Sequence, residues 1–264
     1  MPMKKPIVVI DSGVGGTHIL AQCARLLPHQ DFVYLADTFN APFGAKPHFE
    51  IVKIAENLVQ FSIEKFNPKI IVFACNTLTV NAIKKMRKKF PQIIFVGVEP
   101  ALKQAQIYGG NTIVFATPST QKFFGKLKVK VRLQLRQEYR RQGLKYVPAG
   151  KIFRVSSKNL ARQIDENLNN LDALIPTLKN LFSKPKYLAC QNLVLGCTHY
   201  LAVRAQIQKI LPNIKMFDGA LAVAKQVQKF APEKSAATQK ITFITTDGNN
   251  NLKKKFEKYF EKIK

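Results

Sequence analysis

The sequence predicts an α/β protein of two pseudo-symmetric lobes, each a mostly parallel sheet flanked by helices, with the active site in the cleft between them. Three observations carry this reading. Short apolar β runs alternate with helical patterns along the 264 residues, the signature of a parallel, doubly wound sheet. Two of those runs, Ile70-Ile71-Val72-Phe73-Ala74 and Asn192-Leu193-Val194-Leu195-Gly196, stop at a cysteine, Cys75 and Cys197, and a helical pattern follows each. The order after the two cysteines is also shared: helix, Pro-polar-Ile (Pro91-Gln92-Ile93 and Pro212-Asn213-Ile214), strand, glycine (Gly97 and Gly219), helix. Such a shared order indicates an internal repeat.

The elements follow in turn. Ile7-Val8-Val9-Ile10 is a continuous apolar strand, and Asp11-Ser12-Gly13-Val14-Gly15-Gly16 is a glycine-rich turn into the helical pattern Ile19 to Leu27. Such a turn aims backbone N–H groups and a helix N-terminus at an anion. Its G-x-G-G spacing and the early aspartate depart from the dinucleotide fingerprint, so a carboxylate fits better than a nucleotide. Phe32 to Ala36 is the second strand, Asp37 to Pro47 a loop containing Ala41-Pro42-Phe43-Gly44, and Glu50 to Phe66 a helix. The first cysteine strand comes next, then a helix to about Phe90 and the strand around Ile93 to Val98. Thr112 to Ala116 is another strand, entering a Ser/Thr turn at Thr117. Lys126 to Leu135 alternates apolar and basic residues with period two, which predicts an amphipathic strand, although a long basic helix can mimic the pattern. Lys151 to Phe182 reads as helix in two pieces broken near Pro176. A last strand, Ile241 to Thr245, and a basic helix, Asn251 to Ile263, close the chain.

Composition narrows the function classes. No apolar run is long enough for a signal h-region or a bilayer span, which predicts a cytoplasmic protein without a membrane span. Cys23, Cys75, Cys190 and Cys197 form no C-x-x-C pair, and His18, His29, His48 and His199 lack zinc-finger spacing. This argues against disulfides and structural zinc. Cys23 in a helix and Cys190 at a strand start read as small buried hydrophobes. Forty-two Lys+Arg against sixteen Asp+Glu give a formal charge of +26. That balance admits nucleic acid or anionic surfaces as partners, but a charge run is more often a solvated face, and this reading is not favoured.

The two cysteines carry the chemistry. Pseudo-symmetry points both thiols into one cleft from opposite sides, and a helix N-terminus stabilises a thiolate. Opposed acid/base groups are what inversion at carbon requires: one thiolate removes the Cα proton of an amino acid and the other thiol delivers a proton to the opposite face. Asp11 and His199, one near each thiol, would help its proton on or off. Ser12, Asn76, Thr77 and Thr198 offer neutral donors for substrate carboxylates.

The residues that carry these roles also carry a resemblance. Asp11-Ser12-Gly13-Val14-Gly15-Gly16, Pro42-Phe43-Gly44 with Lys46, Ala74-Cys75-Asn76-Thr77, Gly97-Val98-Glu99-Pro100 and Leu195-Gly196-Cys197-Thr198-His199-Tyr200 run in family order through nearly the whole chain. The sequence resembles glutamate racemase, of the cofactor-independent aspartate/glutamate racemase superfamily. The resemblance implies interconversion of L- and D-glutamate without a cofactor, the D form supplying peptidoglycan synthesis, by a homodimer. It implies that Cys75 and Cys197 are the two bases, that Asp11 and His199 assist them, and that Asp11, Ser12, Pro42, Phe43, Gly44, Asn76, Thr77, Thr198 and His199 hold the substrate. It also implies interleaved lobes, 1–98 plus about 218–264, and about 99–217. The alternatives are a racemase of aspartate or a related amino acid, and a weakened homologue that binds polyanions through Lys126 to Arg141.

Some positions depart from the family pattern. Phe43 stands for a tyrosine, Leu78-Thr79-Val80 for small residues, and Leu201 for a proline. Family members carry Cys-Pro and then a Val-Glu-x-Gly segment whose glutamate lies at the site. The expected equivalent here, Tyr146-Val147-Pro148-Ala149-Gly150-Lys151, has neither the cysteine nor the acid.

Overall fold

The computed structural model describes residues 5–143, 150–231 and 238–264. β1 (Ile7–Asp11), β2 (Phe32–Ala36), β3 (Ile70–Phe73) and β4 (Ile94–Gly97) alternate with α1 (Thr17–Leu26), α2 (His48–Phe66) and α3 (Asn76–Lys89). α4 (Leu102–Tyr108) leads into a second round: β5 (Thr112–Ala116), α5 (Pro118–Lys122), α6 (Phe124–Arg141), β6 (Ile152–Val155), α7 (Leu160–Glu166), α8 (Ile175–Leu181), α9 (Pro185–Leu188), β7 (Asn192–Gly196), α10 (Arg204–Ile210) and β8 (Lys215–Phe217). α11 (Ala220–Phe230), β9 (Ile241–Thr245) and α12 (Asn250–Ile263) follow.

The strands form a five-stranded sheet ordered β4-β3-β1-β2-β9 and a four-stranded sheet ordered β6-β5-β7-β8. Their pairings are parallel. Taken from its other edge, the second sheet runs β8-β7-β5-β6 and matches β4-β3-β1-β2 strand for strand. The repeat expected from the cysteine segments is therefore a repeat of topology. Cys75 follows β3 as Cys197 follows β7, each beside the strand, β1 or β5, that opens its half. In such sheets the carboxyl ends of the strands gather ligands.

Burial fixes where those ends lie. Ile7 to Ile10 are at most 2% exposed, and each such side chain contributes about 1.5–3 kcal/mol by leaving water. Asp11 at the end of β1 is thus held by one of the most buried strands in the molecule. One apolar cluster joins Val9, Ile19 and Val72 around the first sheet to Phe115, Leu193 and Tyr200 around the second. The halves are packed on each other through a continuous core.

Two expectations are corrected. Lys126 to Leu135 is part of helix α6, not a strand. Its apolar residues recur every second position, and that spacing also contains a helical face: Val131 and Leu135 are buried with Leu127 packed beside them. The intervening Val129 and Leu133 are left 57% and 53% exposed. Leu, Lys, Arg and Gln dominate the segment, and all are good helix formers. Between Lys151 and Phe182, the chain first forms β6 against β5. Pro176 then sits in the first turn of α8, where its missing N–H costs nothing, so it begins a helix instead of breaking one. No helix among the described residues is long and apolar enough to cross a membrane.

Candidate active site

Four central strands deliver their ends to one place. β1 ends at Asp11, β3 runs into Cys75, β5 into Thr117 and β7 into Cys197. Cys75 and Cys197 are each 6% exposed, and all four cysteines of the chain are free. Cys75 occupies the N-cap of α3, and the backbone N–H groups of Thr77 and Leu78 point at its sulfur. Cys197 occupies the N-cap position of the short turn Thr198–Leu201. The two thiols are close enough that charge on Cys197 is felt at Cys75.

Asp11 is fully buried. Its Oδ2 accepts the Gly16 N–H at 2.6 Å, whereas its Oδ1 has no hydrogen-bond partner. Burial pushes its carboxyl up to about 6, against the opposing pull of His199 and the Gly16 N–H. Burial also holds the Cys75 thiol well above its usual range, with the Asp11 charge adding to the effect and the Leu78 N–H opposing it. Burial alone would push His199 down. The Asp165 charge and hydrogen bond, together with contacts to Cys197 and Asp11, outweigh it and hold the imidazole well above its ordinary value. His199 Nε2 lies 3.2 Å from Asp165 Oδ2. Each thiol therefore has a titratable group with a raised pKa beside it, the Asp11 carboxyl for Cys75 and the His199 imidazole for Cys197.

The remaining residues divide by position. Ser12, Pro42 and His199 line an opening of about 330 Å3 together with Asp165, within the usual size range of small-molecule sites. Thr198 Oγ1 is buried and lacks a partner, so one hydroxyl is left for a ligand. Asn76 Nδ2 donates to the Val98 carbonyl at 3.3 Å. Thr77 Oγ1 is 2.9 Å from Thr117 Oγ1 and 3.3 Å from Thr120 Oγ1, a hydroxyl cluster joining the two halves. Gly44 is pressed against the same threonine: a Cβ there would come within 2.8 Å of Thr117 Cβ. Phe43 is 1% exposed and packs in the apolar cluster that holds Ile10, Phe73 and Leu78; its ring does not line the opening. Among the described residues no group of three or more His, Cys, Asp or Glu is placed to hold a metal ion. Larger cavities, about 680 and 600 Å3, run along α6; neither these nor the 330 Å3 opening is lined by Cys75 or Cys197, but the opening alone of the three is lined by Ser12, Asp165 and His199.

Three residues at this site escaped the sequence reading. Thr117 and Thr120 come from the second half and meet Thr77 only in three dimensions; the strand-to-Ser/Thr turn at Thr117 was the available signal. Asp165 on α7 supplies a carboxylate where the family pattern expects a glutamate. The acid was sought at residues 146–151, of which 146–149 lie outside the described residues. The pair Ile164-Asp165, an apolar residue followed by an acid as in Val-Glu, was the pattern to look for.

Known proteins share this fold. No protein-family model matches the chain. Glutamate racemase of Clostridium botulinum (strain Alaska E43 / Type E3) is 33% identical over 256 residues, covering 94% of both chains. The crystal structure of Escherichia coli glutamate racemase in complex with L-glutamate and the activator UDP-MurNAc-Ala superposes with a TM-score of 0.79 at 25% identity, over 97% of this chain and 96% of that one. Glutamate racemase isoform RacE1 from Bacillus anthracis gives a TM-score of 0.78 at 23% identity, over 98% and 94%. With a relative of this identity across nearly its whole length, the chain belongs to the glutamate racemase family.

Proposed function

We propose that Cys75 and Cys197 invert glutamate by two-base proton transfer at Cα, each serving one face of the substrate. The observation that carries this reading is the pair of buried thiols at matching strand ends, within electrostatic reach of each other. In one direction a thiolate takes the Cα proton and the opposite thiol returns a proton to the other face; in the reverse direction the roles exchange. Asp11 moves protons to and from Cys75. His199 does so for Cys197, with Asp165 holding the imidazole in place.

The N–H groups at the start of α3 and the glycine-rich turn hold carboxylate, as helix N-termini do. Ser12, Gly44, Asn76, Thr77 and Thr198 complete the cradle, and Pro42 and Phe43 shape the segment that carries Gly44. No cofactor takes part. The curated relatives and the L-glutamate bound by the Escherichia coli enzyme favour glutamate over aspartate as substrate. The product would be the D-glutamate of peptidoglycan synthesis, made by a homodimer in the cytoplasm. The division into lobes of residues 1–98 with about 218–264, and of about 99–217, is supported by β9 adding to the first sheet and β8 to the second.

Incubation of each glutamate enantiomer in heavy water tests the reading. Inverted product carrying solvent deuterium at Cα is expected from both. Inversion of aspartate in preference to glutamate would move the substrate assignment, and no exchange at Cα of either amino acid would overturn it.

A further inference from the structure

The opening to the site has a charge problem. Glutamate brings two carboxylates and one ammonium group. The wall it passes already contains Asp165 and Glu166, and fully buried Asp11 stands behind it. Of the groups that line this opening, the cations are His199, Arg162 and Lys255. His199 is committed to Asp165. Arg162 is committed to Glu166, with its Nε donating to Glu166 Oε1 at 2.7 Å. Lys255, exposed on α12, has no carboxylate partner among the described residues. It lines the same opening as Arg162 and Glu166, and the first lobe supplies it through the helix that follows β9.

We propose that Lys255 is a positioning residue for the dicarboxylate substrate, and that the Arg162–Glu166 pair keeps the opposite rim neutral so that Lys255 sets the field at the mouth. An unpaired cation at the rim of a low-dielectric cleft raises the local concentration of an anion. With Asp165 and Glu166 each already paired, it is the uncompensated positive charge that the substrate's side-chain carboxylate meets as it passes. The effect belongs to binding, so it falls on KM and leaves kcat alone. The inference rests on the racemase reading and adds a residue to it.

Steady-state kinetics of the full chain with L- and D-glutamate test it. Lys255→Gln is expected to raise KM by about two- to fivefold, the reach of an exposed charge pair, and Lys255→Glu to raise it further. Arg162→Gln, which frees the Glu166 charge, should raise KM too, and the double variant Arg162→Gln/Glu166→Gln should bring it back. Lys254→Gln, an equal change of charge on an exposed neighbour that does not line the opening, should leave KM unchanged. The KM of the parent chain should rise with added salt, and that of Lys255→Gln should rise less. A Lys255→Gln variant indistinguishable from Lys254→Gln, or one in which kcat falls and KM does not move, would overturn the inference alone. Absence of inversion by the parent chain would overturn the racemase reading, and this inference with it.

Discussion

Asp165 ties the two halves of the molecule together at His199: its Oδ2 lies 3.2 Å from His199 Nε2, and its Oδ1 accepts the Val14 N–H at 3.0 Å from the glycine-rich turn of the other half. One carboxylate therefore sets the protonation of the imidazole and its position relative to Asp11. Replacing it with asparagine keeps an acceptor for Val14 and removes the charge. His199 then loses protons more readily, so the basic limb of the kcat profile should move to lower pH. A fall in kcat of about a hundredfold is expected, the lower end of what positioned acid/base groups contribute. An unmoved basic limb would separate Asp165 from the proton chemistry.

Asp11 and His18 make opposite demands on stability. The Asp11 carboxyl is raised by burial to about 6, so the folded state binds its proton more tightly than the unfolded chain. The contribution is fully present below the unfolded value and is lost as pH rises to about 6, leaving a cost of about 3 kcal/mol at neutral pH. His18, partly buried and 3.0 Å from Tyr259 Oη, is lowered by burial to about 4. Its neutral form is the folded form, so its contribution is lost as pH falls from the unfolded value toward 4. The two slopes oppose each other between pH 4 and 6. Asp11→Asn should raise Tm at pH 7, make Tm climb with pH across that window, and cripple turnover. Thermal melts across pH, read beside activity, check all three. A lower Tm at pH 7 would mean that Asp11 stabilises the fold it was inferred to strain.

The paired thiols were legible in the sequence because strand, cysteine and helix are consecutive there, and because the repeat appears twice. The α/β class was legible for the same reason: buried parallel strands are short continuous apolar runs. α6 was not, since alternation from Leu127 to Leu135 satisfies a strand face and a helix face equally, and only packing against α4 and β5 selects between them. Asp165 was missed because its meaning lies in a contact with His199 that no spacing encodes. Phe43 shows the reverse error. Its place in a motif marks it for the pocket wall, yet a bare aromatic ring is more stable inside the core of the five-stranded sheet.

The approach of the halves is close enough to leave no room for a methyl group at Gly15. A Cβ there would meet the His199 backbone nitrogen at 2.3 Å and the Thr198 carbonyl carbon at 2.6 Å. Backbone cannot rotate aside as a side chain can, so Gly15→Ala must displace the turn that carries Cys197 and His199. Overpacking of this kind costs about 1–3 kcal/mol, and a misplacement of about 1 Å at reacting groups costs on the order of a hundredfold in rate. The variant should keep its far-UV circular dichroism, melt a few degrees lower, and lose most of its kcat. Full activity would mean that this contact opens during turnover.

Cysteine replacement should separate the two faces of the reaction. In Cys197→Ala the remaining thiol, Cys75, still reaches one face of Cα, so it can remove the proton of one enantiomer and return deuterium to the same face. It cannot complete inversion, because nothing on the far side delivers a proton. Cys75→Ala should show the mirror behaviour with the other enantiomer. Each variant is therefore expected to lose racemisation by a thousandfold or more, on the order of a positioned base at its most effective, while exchanging Cα hydrogen in one enantiomer only. Proton NMR in heavy water, run on L- and D-glutamate separately, distinguishes this from a general loss of folding, which would silence both. Exchange of the same enantiomer by both variants would place the two sulfurs on one face and end the two-base assignment.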